Sequence, residues 1–200
     1  MASEQPPEQW SQLVQAIKDT VAGMAFDGDQ QAITHVRTTK RFVDAARSSF
    51  ANKPALAVLD TATAGGEPGL SIAQALPQAE ITLTDYSPAC VAWAKERADD
   101  LGLGPRISAA VANAESMPQY ADGSFDIVTC SYGLMFFDHV KGLREMHRVL
   151  RPGGLLLVAN WGPAEELDFT KVLQGVSSGL YLSGLDVKCN HNANSHVQAS

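Results

Sequence analysis

The fold is decided by two stretches, ALAVLDTATAGGEPG at residues 55–69 and TDYS at residues 84–87. The first predicts a short apolar strand ending at Asp60, a loop of small residues and a helix opened by Pro68. The second predicts a strand that ends on the carboxylate of Asp85. The 25 residues that separate the two acids fit one strand–helix–strand unit.

This unit has the features of a nucleoside-binding site. Small residues let the backbone approach a ligand closely, and a helix N-terminus presents N–H groups that have no partner within the helix. A carboxylate at the tip of the following strand can accept hydrogen bonds from both hydroxyls of a ribose. The two stretches therefore predict a cofactor that carries a nucleoside.

Helical and strand patterns alternate along the rest of the core. After the strand at 55–60, strands are predicted at residues 80–85, 107–111, 125–130 and 155–160, with helices at 68–76, 88–101 and 139–150. This alternation predicts an α/β fold with a doubly wound, mostly parallel sheet of about five strands. Ligands bind such sheets at the carboxyl ends of the strands, which is where Asp60, Asp85, Asn113 and Ser131 fall.

Composition narrows the class of protein. The chain has 200 residues, 45% hydrophobic and 18% charged, as expected of a globular domain. Its net charge of −7 offers no basic surface for nucleic acid or anionic membrane. We expect a cytoplasmic protein, because no secretory signal and no apolar run of membrane-spanning length is visible. The three cysteines are expected to be free thiols, and no metal site is expected.

Five segments, in this order, resemble motifs of the class I S-adenosylmethionine-dependent methyltransferases: residues 60–66, 84–88, 113–118, 122–128 and 143–154. The resemblance covers roughly residues 55–161. Within that family, Asn-Ala-Glu at 113–115 and Ser-Tyr-Gly-Leu at 131–134 are similar to the quinone-biosynthesis C-methyltransferases. The resemblance implies a Rossmann-like fold, S-adenosyl-L-methionine as cofactor and a small, apolar or aromatic methyl acceptor.

The cofactor-binding residues implied by the resemblance are Asp60, Ala62, Gly65, Gly66, Asp85, Tyr86, Asn113, Ala114 and Ser131. Asp85 is expected to bind the ribose, the alternative being a surface acid at a strand end. Asp60 would interact with the methionine amine, directly or through water, unless it only stabilises the loop.

The remaining candidates carry similar alternatives. Gly65 and Gly66 would donate backbone hydrogen bonds near the methionine portion, or they form a plain tight turn. Asn113 and Ala114 would contact adenine, or they belong to an ordinary Asx turn. Ser131 would face the methionine end, or its hydroxyl serves as a cap.

The first motif departs from the family pattern at two positions. Ala62 and Ala64 stand where the family has glycine. Alanine is harmless there if φ is negative and costly if φ is positive, because Cβ then crowds the carbonyl. We expect these substitutions to weaken cofactor binding without rebuilding the loop.

The C-terminal part departs further. We divide the chain into N-terminal helices at 1–54 that pack on the core and cap the site, a core at 55–182, and a polar tail at 183–200 that is expected to be disordered. The family normally adds two more strands, and the tail has too few bulky apolar residues to form them. The fifth strand would then be an apolar edge open to self-association.

The acceptor side is less well defined. Tyr132, Met135, Phe136 and Trp161 could line an apolar acceptor pocket, although such a cluster can equally be plain core. Methyl transfer mainly needs orientation and exclusion of water, so the sequence assigns no catalytic residue. His139 is either a general base or a solvated residue at a helix end.

Two other functions compete with methyl transfer for this sequence. A nicotinamide dehydrogenase would need G-x-G-x-x-G after the first strand, and residues 62–67 lack that order. A methyltransferase-like protein with weak or no activity, which binds the cofactor or scaffolds a partner, remains the alternative. The two alanines and the short C-terminus favour it.

Overall fold

The computed structural model describes residues 30–160 and 197–198. Its helices are α1 (Gln30–Phe50), α2 (Gly69–Ala75), α3 (Pro88–Asp100) and α4 (His139–Val149). Its strands are β1 (Leu56–Thr61), β2 (Ala79–Asp85), β3 (Ile107–Val111), β4 (Phe125–Ser131), β5 (Leu150–Ala159) and β6 (Val197–Gln198). The predicted first helix, before residue 25, lies outside the described residues.

The described strands form one sheet in the order β3-β2-β1-β4-β5-β6. Strands β1 to β5 are all parallel, which confirms the predicted doubly wound α/β fold with five parallel strands. The order reverses between β1 and β4, so the connections that leave these two strands diverge to opposite faces. This divergence opens a crevice at their carboxyl ends, where ligands of such sheets bind.

Helices cover both faces of the sheet. Val58 and Leu59 of β1 are both fully buried, yet they belong to different hydrophobic clusters. Val58 packs in the cluster formed with α1, α2 and α3, whereas Leu59 packs in the cluster that includes Met146 of α4. Because successive side chains point to opposite faces, a strand buried on both sides needs a continuous apolar run.

The predicted cap of α3 is confirmed. The side chain of Ser87 accepts a hydrogen bond from Cys90 N at 3.4 Å, and Pro88 opens the helix. Helix α2 begins at Gly69, one residue later than predicted, because Pro68 occupies the N-cap position. This cap has no side-chain hydrogen bond.

The start of β5 differs from the prediction. The strand begins at Leu150, not Leu155, because Leu150 pairs with Phe125 of β4. The register then shifts, and Leu155 pairs with Ile127, so the residues between form an irregular stretch within the strand. Helix α4 ends at Val149, and the Arg-Pro-Gly-Gly sequence at 151–154 lies within β5.

The outer edge of β5 also differs. β5 was expected to be the uncovered edge of the sheet, but Val197 and Gln198 of the polar tail pair with it in antiparallel orientation, opposite Leu156 and Leu155. The hydrogen bonds between paired strands are made by backbone groups and do not depend on apolar side chains. The polar composition of the tail therefore did not indicate this pairing. The expectation of a disordered tail otherwise concerns residues outside the described part of the chain.

A buried acid ties the amino ends of three strands together. Asp126 of β4 is 3% exposed and accepts hydrogen bonds from Lys53 and from Ala57 N, the latter at 2.9 Å. Arg151 of β5 forms an ion pair with it at 2.7 Å. Burial alone would raise the pKa of Asp126, but these partners outweigh it and lower the pKa.

We predict that Asp126→Asn lowers the free energy of unfolding by about 1–2 kcal/mol at neutral pH, since hydrogen bonds to a buried charge are lost while two half-exposed cations return to water. Asp126 has a folded-state pKa below its unfolded value. Its stabilisation is therefore present above about pH 4 and is lost below it. Urea unfolding at neutral and acidic pH measures both effects.

Asp44→Asn is the matched control. Asp44 pairs with Lys40 one helical turn away on the exposed face of α1. Exposed pairs of this kind contribute little, so the variant should unfold within about 0.5 kcal/mol of the wild type. Equal losses of unfolding free energy in the two variants would contradict the conclusion that Asp126 ties the three strands together.

Candidate functional site

The carboxyl end of β1 is organised by Asp60, whose side chain is fully buried. Its Oδ2 accepts hydrogen bonds from Thr63 Oγ1 at 2.6 Å and from Gly69 N at 3.2 Å. Its Oδ1 accepts one from Thr129 Oγ1 at 2.6 Å. One carboxyl group thus joins the loop after β1, the start of α2 and strand β4.

Burial raises the pKa of Asp60 to about 6, even though the hydrogen bonds from Thr129, Thr63 and Gly69 lower it. The carboxyl is therefore ionised at neutral pH but at a cost in free energy. Its surroundings match the loop-stabilising alternative. Contact with a methionine amine remains a prediction.

Asp85 lies at the carboxyl end of β2, half-buried and facing the same loop. Its Oδ2 accepts a hydrogen bond from Ala64 N and its Oδ1 one from Ser87 N, each at 2.9 Å. Burial raises its pKa, and these two hydrogen bonds work in the opposite direction. Each oxygen has a second lone pair, so the carboxylate can also accept from two ligand hydroxyls.

Three residues other than glycine adopt positive φ at this end of the sheet. Ala62 has φ 50° and Ala64 φ 47°, both in the loop after β1, and Tyr132 has φ 57° directly after β4. Left-handed backbone costs an alanine roughly 1–2 kcal/mol relative to right-handed backbone. The costly case for the two alanines therefore applies. Such strain persists only where the surroundings impose it, and it clusters at functional sites.

The two glycines of the loop are buried. Gly66 has φ 97° and its N–H donates to Thr63 O at 2.8 Å, which closes a tight turn. A Cβ at Gly65 would lie 2.7 Å from the Trp93 indole, so a larger residue there would have to displace the ring. Arg97, one turn along α3, donates to the Gly65 carbonyl. The tight-turn alternative is thus seen directly, and donation to a cofactor remains a prediction.

The loops after β1 and β4 touch each other. A Cβ placed on Gly133 would lie 2.6 Å from Ala62 Cβ and 2.8 Å from Cys130 Sγ. Close approach at Gly133 therefore brings the two sides of the crevice into contact. Ser131 is half-buried at the end of β4 beside this contact.

Asn113 opens the connection between β3 and β4 and is exposed. Its Oδ1 accepts from Glu115 N and its carbonyl accepts from Ser116 N, both at 2.9 Å. The Asx turn weighed as an alternative is therefore present. It leaves Ala114 half-buried against the core. Tyr86, 41% exposed, lies next to Asp85.

A family model described as "Methyltransferase domain" matches residues 58–154. Residues 58–154 belong to the class I S-adenosylmethionine-dependent methyltransferase family. The match contains most of β1 and all of β2, β3 and β4, and it includes Asp60, Asp85 and Asn113. The cofactor of this family is S-adenosyl-L-methionine.

Two relatives of the methyltransferase domain have names that refer to quinones. The demethylmenaquinone methyltransferase of Thermus thermophilus is 37% identical over 129 residues, covering 64% of this chain and 56% of that protein. The ubiquinone/menaquinone biosynthesis C-methyltransferase UbiE of a Geobacter species is 39% identical over 103 residues, covering 50% of this chain and 43% of that protein. The chain thus spans about half the length of the curated relatives it matches.

A solved structure shows that similarity of fold does not fix the reaction. The [4+2]-cyclase SpnF matches the chain with a TM-score of 0.54 and 30% identity, covering 60% of this chain and 44% of that one. That protein is named as a cyclase, whereas the family model that matches residues 58–154 of this chain describes a methyltransferase domain. Function must therefore be argued from the site.

The predicted acceptor residues of the methyltransferase domain are not all together. Tyr132 is buried in the core, and its hydroxyl lies 3.0 Å from Thr38 Oγ1 of α1. Met135 and Phe136 are 47% and 54% exposed on a short 3-10 turn, Leu134–Phe136. Trp161 lies outside the described residues. The pocket remains a prediction.

The Cys130 thiol and the Tyr132 phenol, both near the crevice, stay protonated at neutral pH. Burial raises the pKa of the Cys130 thiol to about 12 and also raises the pKa of the Tyr132 phenol. His139 is exposed at the first position of α4, where Asp138 is the cap.

No cluster of potential metal ligands occurs within residues 30–160. Among the helices that the structure describes, none has the length and apolar character to span a membrane.

Sequence reasoning missed several residues that shape the methyltransferase site. Thr129 is 69 residues from the acid it binds, so no local pattern relates the two. Trp93 and Arg97 have the spacing of one helical turn, but only the fold places them over Gly65. Thr63 could have been found, because it follows an acid by three residues at the end of a buried strand.

We predict that the wild-type free energy of unfolding rises by about 1 kcal/mol from about pH 7 to about pH 5 through Asp60 alone. The folded-state pKa is raised, so Asp60 destabilises the fold above about pH 6, and this penalty disappears as the pH falls through that value. Asp60→Asn should abolish this rise. Urea unfolding at several pH values measures it.

Asp126→Asn is the control for this experiment. The pKa of Asp126 is lowered, so its ionisation does not change in the same pH range and the variant should keep the wild-type rise. A rise in Asp60→Asn equal to that of the wild type would show that Asp60 is not the group that titrates.

We also predict that Ala62→Gly combined with Ala64→Gly raises the free energy of unfolding by about 1 kcal/mol, because relief of two left-handed alanines exceeds the entropic cost of glycine in the unfolded chain. Ala92→Gly, on the exposed face of α3, should instead lower it by about 1 kcal/mol. Thermal and urea unfolding of both variants test this. Destabilisation of the double variant would mean that the methyls contribute more than the strain costs.

Proposed function

We propose that this chain is an S-adenosylmethionine-dependent methyltransferase acting on a small, apolar or aromatic molecule, in the class of the quinone precursors named for its relatives. The observation that carries the proposal is Asp85. It is a half-buried carboxylate, bonded to the strained loop after β1, at the strand end where a ribose would lie.

The chemistry of the residues present fits the cofactor. Asp85 would offer acceptor oxygens to the ribose hydroxyls, and the exposed Asn113 and half-buried Ala114 would contact adenine. Ala62 and Ser131 stand on the two sides of the crevice where the methionine part would lie. Asp60 acts through the loop, by fixing Thr63 and Gly69.

S-adenosylmethionine supplies a methyl group on a positively charged sulfur, which a nucleophile can attack without metal or redox chemistry. The residues of this chain have to orient the acceptor and exclude water. Cys130 and Tyr132 stay protonated at neutral pH, so neither is assigned as a base. Met135 and Phe136 offer apolar surface to the acceptor.

The cellular setting is part of this proposal. Cys90 and Cys130 are buried free thiols, which suits a reducing, cytoplasmic environment. A net charge of −7 disfavours nucleic acid as the acceptor. Self-association through the β5 edge also remains proposed.

A second reading keeps the fold but not the reaction. The positive φ of Ala62 and Ala64 makes the cofactor loop more strained than the glycines of the family would. This supports a protein that binds the cofactor weakly or scaffolds a partner. Binding without methyl transfer to any acceptor would favour this reading.

We predict that Asp85→Ala weakens binding of S-adenosylhomocysteine, the demethylated product, by roughly 1–3 kcal/mol, because the ribose hydroxyls lose a charged acceptor. Titration calorimetry of the full chain measures the dissociation constant. Methyl transfer from radiolabelled S-adenosylmethionine to a 1,4-naphthoquinol lacking the ring methyl tests the activity itself.

Glu80→Ala is the control, because Glu80 is an exposed acid on the same strand, near its opposite end. It should leave the dissociation constant unchanged. An unaltered constant in Asp85→Ala would contradict the ribose assignment. Failure of the wild type to bind S-adenosylhomocysteine would contradict the proposed function as a whole.

A further inference from the structure

The connection between β3 and β4, residues 112–124, is anchored in its middle by Met117. The Met117 side chain is fully buried in the cluster beneath α4. Its N–H donates to Glu145 Oε1 at 2.6 Å, and its carbonyl accepts from Arg148 Nη2 at 3.0 Å. Both backbone polar groups of the anchor are therefore held by side chains of one helix.

Arg148 binds several further groups of the same connection. Its Nη1 donates to Tyr120 O at 3.0 Å and to Asp122 Oδ1 at 2.5 Å. Its Nε and Nη2 donate to the two oxygens of Glu145 at 2.9 and 2.7 Å, a bidentate pair. Only a planar guanidinium can serve all these acceptors at once.

The other end of α4 holds the tip of the same connection. Glu115 Oε1 accepts from Asp138 N at 2.9 Å, directly before the helix, and Lys141 Nζ lies 3.9 Å from Glu115 Oε2. The Asx turn at Asn113 is thus clamped from both ends of α4. Ala114 lies within this turn, directly before Glu115.

We propose that Glu145 and Arg148 are positioning residues, which hold the Asn113–Ala114 turn in the shape that receives the adenine base. The inference rests on the proposed function and extends it. The hydrogen bond from Arg148 lowers the pKa of Glu145, so the pair is ionised at neutral pH. In this arrangement both side chains act through the backbone of Met117.

The preference of the site for adenine distinguishes a positioning role from a general loss of stability, because an unstable protein would bind both ligands less well. In S-inosylhomocysteine the adenine amino group is replaced by a carbonyl and N1 carries a hydrogen, while the ribose and homocysteine parts are the same as in S-adenosylhomocysteine. Calorimetry on the full wild-type chain should show tighter binding of S-adenosylhomocysteine. Arg148→Met should weaken that binding about tenfold or more and leave the inosyl compound nearly unaffected, so that the preference is lost.

Arg148→Lys and Glu145→Gln guard against a variant that does not fold. Lysine keeps the charge but cannot reach all the acceptors, so it should lose part of the preference. Glutamine keeps an acceptor for Met117 N and should retain more of it. Amide hydrogen exchange at residues 115–117 should quicken in the order wild type, Glu145→Gln, Arg148→Lys.

Arg106→Met is the matched control. Arg106 also donates to backbone carbonyls, those of Ala73, Leu76 and Ala79, but far from the turn. It should lower stability and leave the ligand preference unchanged. An unchanged preference in Arg148→Met, or an equal change in Arg106→Met, would overturn the inference. A wild type that binds S-adenosylhomocysteine without preferring it would also overturn it while upholding the proposed function.

Discussion

The carboxyl group of Asp60 is the constraint on which the site depends. It is fully buried, yet it accepts hydrogen bonds from the loop after β1, from the first residue of α2 and from β4. A buried charge is tolerated only when its lone pairs are matched, so these three elements cannot move apart independently. The width of the crevice at the sheet switch point follows from this one group.

Residues beside this network of hydrogen bonds have strained backbone conformations. Ala64 keeps a left-handed backbone while its N–H binds Asp85, and Tyr132 keeps one while its N–H binds Ala159 O at 2.8 Å. The Tyr132 hydroxyl also meets Thr38, which links α1 to the end of β4. Buried hydrogen bonds thus offset local conformational cost where a ligand would bind.

The order of elements could be predicted because it depends on local signals. Apolar runs marked β1, β3 and β4, and Ser87 followed by Pro88 marked the start of α3. The interactions that shape the site could not, because they join residues far apart in sequence, such as Asp60 with Thr129 and Met117 with Arg148. The positive φ at Ala62 and Ala64 could not be predicted either, since alanine favours negative φ and only the surrounding fold imposes the opposite sign. The β6 pairing was missed because it is made by backbone.

The contact between Gly133, Ala62 and Cys130 limits how this sequence can change over evolution. A methyl group at residue 133 would need the space held by both the Ala62 methyl and the Cys130 sulfur. A lineage that gains a side chain at residue 133 must therefore first shrink the other two. Substitutions at these positions are accessible only in a certain order, and homologues should vary there in combination.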